Sequence, residues 1–180
     1  VSFIFLFVLF GSILDTAGGG KYFLNLAFAL VGKMRGGPAK AAILASGLTG
    51  LISGSSVANT VTTGTFTIPI MKKTGLPATK AGAIEVAASV NGQIMPPIMG
   101  AAAFVMAELL GISYFTVIKH AFLPAVISYI ALFYISHLES VKLGIKGLPE
   151  NEIPELGKTF IGGIHFLIPI FILIYLLLVE

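Results

Sequence analysis

Two clusters of polar and helix-breaking residues stand inside long uncharged stretches of this chain. The first, Ser53-Gly54-Ser55-Ser56-Val57-Ala58-Asn59-Thr60, lies in the middle of 31 consecutive uncharged residues from Ala41 to Met71. The second, Asn91-Gly92-Gln93-Ile94-Met95-Pro96-Pro97, interrupts the 22 uncharged residues from Val86 to Ala107. Backbone carbonyls at helix C-termini and Ser or Thr hydroxyls can replace the hydration shell of a hard monovalent cation. Free N–H groups at helix N-termini suit a carboxylate. The chemistry on offer is binding of an ion and an anionic solute, not covalent catalysis. Cysteine is absent, so disulfides, thiolate metal sites and thiol nucleophiles drop out. No nucleophile stands at readable spacing from a base, no phosphate loop is present, and without a second carboxylate cluster no metal site other than a sodium site is expected.

These clusters need elements that hold them away from bulk water. Of 180 residues, 56% are apolar and 11% charged, with mean hydropathy +0.98, whereas a soluble domain carries about 25% charge. A water-soluble globule is excluded, and a net charge of +3 on so apolar a chain gives no reason to expect nucleic acid. The ends, Val1 inside VSFIFLFVLF and Glu180 after FLIPIFILIYLLLV, suggest a piece of a larger membrane protein. No Lys or Arg precedes Lys21, so the apolar start does not read as a signal peptide.

Charge spacing sets the expected organisation. Residues 1–35 hold a truncated helix ending near Asp15 and Gly18-Gly19-Gly20, then a short helix from Tyr22 to Val31 that reaches only half-way across a bilayer and reads as broken or interfacial. The Ala41 to Met71 run would be about 46 Å long as one helix and overshoots a membrane core of roughly 30 Å. Lys33, Arg35 and Lys40 precede it, and Lys72, Lys73 and Lys80 follow it. The positive-inside rule puts both flanks on the cytoplasmic side. Residues 38–73 are therefore expected to form a re-entrant helical hairpin, with arms of about 20 Å and its tip at the Ser-Gly-Ser-Ser cluster. Residues 78–110 read as one crossing split at Asn91 to Pro97, because proline has no N–H for the helix ladder. Residues 112–138 form a transmembrane helix with a kink at Pro124, 139–157 a polar cytoplasmic loop, and 158–180 a further, truncated crossing.

The blander readings are specific. Gly50-x-x-x-Gly54 is a helix-packing motif, and Pro96-Pro97 alone could be a kink. Glu85 lies five residues past Lys80 and reads as half of an interfacial ion pair, the alternative being an intramembrane acid on a proton path. His120, His137 and His165 fall near span ends and read as interfacial.

The block Gly54 to Gly64, continuing through Ile68-Pro69-Ile70-Met71 and Gly75, resembles the first hairpin of the large permease subunit of tripartite ATP-independent periplasmic (TRAP) transporters. Gly92-Gln93-Ile94-Met95-Pro96-Pro97-Ile98-Met99-Gly100, followed by Ala101 to Glu108, resembles the split helix after it, in the form of the fused permeases served by TAXI-type binding proteins. The resemblance is specific over residues 36–111 and covers a first inverted repeat. It implies an all-α membrane protein of the elevator type, with residues 36–111 as half of a transport domain. It also implies a location in a bacterial or archaeal cytoplasmic (inner) membrane, sodium-coupled uptake of an organic anion, a carboxylate for preference, and no enzymatic activity or organic cofactor. The partners implied are a periplasmic substrate-binding protein, a small membrane subunit or its fused equivalent, and the lipid bilayer.

Carried over by position, the resemblance places sodium at Ser53, Gly54, Ser55, Ser56, Asn59, Asn91, Gly92, Met95 and Pro96, and substrate at Ser56, Asn59, Thr60 and Thr63. Two positions depart from the family: Asn59 stands where many members have an acid, and Ile98 where many have Ser. The alternatives are another elevator-type anion/sodium symporter, and a structural membrane subunit whose polar breaks only pack against a partner.

Overall fold

Glycine and proline punctuation divides the chain into nine α-helices among the residues described, 2–96 and 99–179, in a computed structural model. They are α1 (Ser2–Thr16), α2 (Gly19–Val31), α3 (Gly37–Ser53), α4 (Ser56–Lys73), α5 (Ala78–Ile94), α6 (Ala101–Leu110), α7 (Tyr114–Lys142), α8 (Leu156–Gly162) and α9 (Leu167–Val179). No strand occurs among the described residues. Gly18, Gly36, Gly54 and Gly111 adopt positive φ at helix boundaries, where a Cβ would be strained.

Helices α3 and α4 form an antiparallel hairpin joined by Gly54 and Ser55 alone. The antiparallel register shows in its cross-links: Thr49 bonds Asn59 near the tip, and Ser46 lies beside Thr63 further down. The arms have 17 and 18 residues, about 26 Å each, longer than expected because α3 starts at Gly37 and carries Lys40 inside the fold. Helix α5 packs along both arms, and α2 covers the other side of α3. Small residues allow this. Ala39, Ala42, Ala81 and Ala88 are buried with Ile43, Met71 and Leu76 between the hairpin and α5.

Three regions differ from the sequence reading. Helix α2 is packed into the fold: Tyr22, Phe23, Leu24, Ala27 and Phe28 are buried, and its lower half joins Ala41 and Ala45 of α3 in one cluster. A short apolar helix is stable here because its stripe faces α3. The loop after α7 is charged but docked, with Ile145 and Leu148 buried and the Leu148 N–H donating to Gly32 O at 2.9 Å. It also gathers the basic flanks, since Lys33 pairs with Glu150 and Lys73 with Glu152. The outer ends of both hairpin arms therefore lie at one end of the molecule. Finally, the segment expected as one crossing from Thr159 to Val179 consists of α8, a 3-10 turn at Ile164–Phe166 and α9. Around this turn the chain bends by 58°.

Among the described residues, α7 is the one single helix long and apolar enough to cross a membrane, and the bent pair around Gly163 qualifies if taken as one span. Apolar side chains remain outside on α7, including Phe122, Leu123, Ile127 and Ile130, and on α4 at Val57, Val61 and Phe66. Water would penalise such surface, whereas lipid or further helices would accommodate it.

Candidate functional site

The hairpin tip and the break in the split helix meet. Helix α3 ends at Gly54, whose φ of 59° closes the helix with its N–H on Gly50 O. Ser55 then turns extended, and its hydroxyl accepts the Ala58 N–H at 3.3 Å, capping α4. On the other side α5 stops at Ile94 and α6 resumes at Ala101. The Gly100 N–H reaches back to Gln93 O at 2.8 Å, and Met99 is held at φ 53°, a rare conformation for a side-chain-bearing residue. Pro97 and Ile98 lie outside the described residues.

Two contacts join the halves. The Ser56 N–H donates to Gln93 Oε1 at 3.3 Å. Gly100 lies so close to the tip that a Cβ on it would stand 2.7 Å from Gly54 O. The C-terminal ends of α3 and α5 and the N-terminal ends of α4 and α6 thus converge. Carbonyl groups and negative dipole ends sit beside N–H groups and positive dipole ends, a constellation able to take a cation and an anion side by side.

The residues named from sequence divide into groups. Ser53, Gly54, Ser55 and Ser56 form the half-exposed tip, and Met95 and Pro96 stand at the break. Gly92 is buried under α3: a Cβ on it would lie 2.6 Å from Ser46 O. Asn91 faces α7, its Oδ1 accepting from Ser128 Oγ at 2.8 Å. Asn59 is 1% exposed and is engaged within the hairpin. Its Nδ2 donates to Ser46 O at 2.8 Å, and its Oδ1 accepts from Thr49 Oγ1 at 2.5 Å. Thr60 donates to Ser56 O of its own helix. Thr63, seven residues or about 10 Å along α4 from Ser56, turns to Glu85. Beside the tip, Asp15, Gly20, Thr49, Ser53, Asn59 and Thr62 help line a cavity of about 40 Å³, room for about one water molecule.

Glu85 corrects a sequence expectation. It makes no ion pair with Lys80, which pairs with Glu139 of α7. Glu85 is completely buried, one helical turn further into the fold than Lys80. Its carboxyl group is ringed by the hydroxyls of Ser46, Thr63, Thr67 and Ser89. Position relative to Lys80 concealed it; the signal available was the Thr63-x-x-x-Thr67 spacing, which puts two hydroxyls on one face of α4. Gln93 belongs to the second polar cluster but not to the residues that the resemblance assigns to the site, and its side chain bonds the tip at Ser56. His120 donates its Nδ1–H to Thr116 O at 2.8 Å. His137 contacts Lys40 Nζ at 3.0 Å, where Lys40 is 2% exposed.

Compared with models of protein families, residues 1–179 match the one described as "Tripartite ATP-independent periplasmic transporter, DctM component". The chain belongs to this TRAP transporter family. Among relatives of this TRAP chain, the uncharacterized protein YgiK of Salmonella typhimurium is 31% identical over 168 residues, covering 93% of the chain and 38% of the relative. The 2,3-diketo-L-gulonate TRAP transporter large permease protein YiaN of Escherichia coli is 25% identical over 168 residues, covering 93% and 39%. The C4-dicarboxylate TRAP transporter large permease protein DctM of Rhodobacter capsulatus is 33% identical over 91 residues, covering 51% and 21%. The TRAP chain therefore spans well under half the length of these relatives.

Proposed function

We propose that this chain is part of the large permease subunit of a secondary active, sodium-coupled transporter that imports an organic anion by an elevator mechanism. The observation that carries this reading is the convergence of two helix C-termini and two helix N-termini where Gly54 and Ser56 meet Gly100 and Gln93. Carbonyls around Ser53, Gly54, Asn91, Gly92 and Met95 would take sodium, and the N–H groups opening α4 and α6 would take a carboxylate. Ser55, Ser56 and Pro96 would shape the same site. The names of the relatives, which include transporters of C4-dicarboxylates and of 2,3-diketo-L-gulonate, support a carboxylate as the solute class. A periplasmic binding protein, of TAXI type, would deliver it, with a small membrane subunit or fused equivalent completing the assembly in the inner membrane.

The hairpin enters and leaves the bilayer from one side in this reading, which is supported by the shared docking of Lys33 and Lys73 on one acidic loop. Asn59 contributes by holding the arms together, and Thr60 and Thr63 act behind the tip.

Reconstitution of the complete permease with its binding protein tests the proposal. Uptake should follow an imposed sodium gradient, and Ser55→Trp should abolish uptake while leaving membrane insertion intact. Uptake unchanged in the absence of sodium on both sides would overturn the coupling, and normal uptake by the Ser55→Trp protein would overturn the site.

A further inference from the structure

Glu85 is a buried acid that the tip site does not use. It sits on α5 against the middle of the hairpin, with no exposed surface, and no Lys, Arg or His lies within ion-pair distance of it among the described residues. A buried carboxylate without a counter-cation is costly unless hydrogen bonds replace its hydration. Here they come from three helices. Ser46 Oγ of α3 donates to Oε1 at 2.8 Å, Thr63 Oγ1 of α4 also reaches Oε1, and Thr67 Oγ1 of α4 donates to Oε2 at 2.5 Å. Ser89 Oγ, on α5 itself, stands 3.4 Å from Oε1.

Two of the hydroxyls have a backbone carbonyl as a second acceptor within reach. Thr63 Oγ1 lies 2.7 Å from Asn59 O, and Thr67 Oγ1 lies 3.0 Å from Thr63 O. A hydroxyl has one hydrogen to give, so two arrangements fit the same heavy-atom positions. With the acid ionised, the Ser46, Thr63 and Thr67 hydrogens all turn toward it. With the acid protonated, its own O–H donates to Thr67 Oγ1, and Thr67 and Thr63 return their hydrogens to the carbonyls of α4. Both states are fully bonded, and apart from the proton itself they differ only in hydroxyl rotation.

We propose that Glu85 is a reversible proton-binding site, and that its protonation changes during the transport cycle as a second coupling reaction beside the ion site at the tip. The step adds one proton from water to a carboxylate oxygen or returns it to water, and no other bond changes. Because the site is sealed in this conformation, exchange occurs when α5 and the hairpin separate enough to admit water. The proton is favoured over a metal cation by spacing. The Glu85 oxygens stand 2.8 Å from Ser46 Oγ and 2.5 Å from Thr67 Oγ1, whereas oxygens coordinating a hard cation at about 2.3–2.6 Å lie more than about 3 Å apart.

The other titratable groups on the surrounding helices are engaged elsewhere or lie further out. Lys40 of α3 contacts His137 of α7, Lys73 of α4 pairs with Glu152, Lys80 of α5 pairs with Glu139, and Tyr129 of α7 donates to Ala88 O. Lys72 is exposed at the outer end of α4. On α3, α4 and α5 the basic residues stand at least five positions from Ser46, Thr67 and Glu85 respectively, about 7.5 Å along a helix.

This inference rests on the transporter reading for its role, but the proton site can be tested separately. Infrared difference spectra of the complete permease between acid and neutral pH should contain a protonated-carboxyl C=O band that disappears in Glu85→Gln and persists in Glu85→Asp. Thr67→Val, which keeps the acid and removes a partner, should move the band without deleting it. This second variant also serves if Glu85→Gln fails to insert. In proteoliposomes, an inside-alkaline pH gradient should accelerate sodium-driven uptake by the wild type, and that acceleration should vanish in Glu85→Gln. Identical spectra for wild type and Glu85→Gln, or a band unmoved by Thr67→Val, would overturn the proton site. So would loss of a bound sodium in Glu85→Gln with the carboxyl band unchanged. Failure of sodium-driven uptake in the wild type would instead overturn the transporter reading, leaving the spectra to decide on Glu85.

Discussion

Gly50 of α3 and Gly92 of α5 meet backbone to backbone: a Cβ on Gly50 would stand 2.6 Å from the Gly92 Cα. This contact lets α5 approach the hairpin closely enough for Gln93 to reach Ser56 and for Glu85 to enter the ring of hydroxyls. Gly50→Ala and Gly92→Ala should therefore push α5 away from α3, at a cost of about 1–3 kcal/mol. Thermal unfolding of the detergent-solubilised permease would measure the loss. Gly82, which has open space around it, is the control, and Gly82→Ala should be neutral or slightly stabilising.

Gln93 joins the second half of the site to the first. Gln93→Leu removes the acceptor of the Ser56 N–H, and about 1 kcal/mol of stability should go with it. The larger expected effect is on binding, because the N-terminus of α4 is no longer held against the break. At the proposed sodium site, affinity measured by calorimetry or by sodium-dependent protection against unfolding should fall, while Gln93→Glu, which retains an acceptor at a positive dipole end, should preserve the junction better.

The amide of Asn59 both donates to Ser46 O and accepts from Thr49, a combination an ionised Asp cannot supply. Asn59→Asp should cost about 1–3 kcal/mol by replacing the donor to Ser46 O with a carboxylate oxygen set against that carbonyl, and Thr49→Ala combined with it should show non-additive losses. Equal stability of Asn59→Asp and wild type in thermal melts would show that the arms are not held together through this amide.

The docked loop should loosen in acid. The hydrogen bond and charge of Lys33 hold the Glu150 carboxyl below the ordinary glutamate range. Its contribution is therefore complete above that range and is lost as pH falls through the depressed folded value. Amide exchange or proteolysis within residues 143–157 should rise as pH drops below the usual glutamate range. Lys33→Met should give raised exchange already at neutral pH. Both residues are largely exposed, so the effect should shrink at high salt.

Much of this molecule is visible in the order of its residues. The uncharged runs, their basic flanks and the two polar interruptions placed the α3–α4 turn at Gly54 and Ser55 and the α5–α6 break near Pro96, because glycine, serine and proline act on the backbone locally. Local signals could not say which way a side chain points. The resemblance places Thr63 with the substrate residues of the tip, and its position on α4 turns its hydroxyl toward Glu85 of α5. The short α2 gave no sign of its burial, since an apolar stripe on 13 residues fits an interface and a core equally well.

Composition and spacing by themselves determined a helical chain of membrane character, with two breaks able to present backbone carbonyls and N–H groups. Only the tertiary structure decided that the breaks touch through Gly54, Ser56, Gln93 and Gly100. It also decided that Glu85 leaves Lys80 for a pocket of hydroxyls while Lys80 takes Glu139. Helical periodicity states which residues share a face. Which helix covers that face depends on contacts between residues far apart in the chain, here the close crossing that two glycines permit.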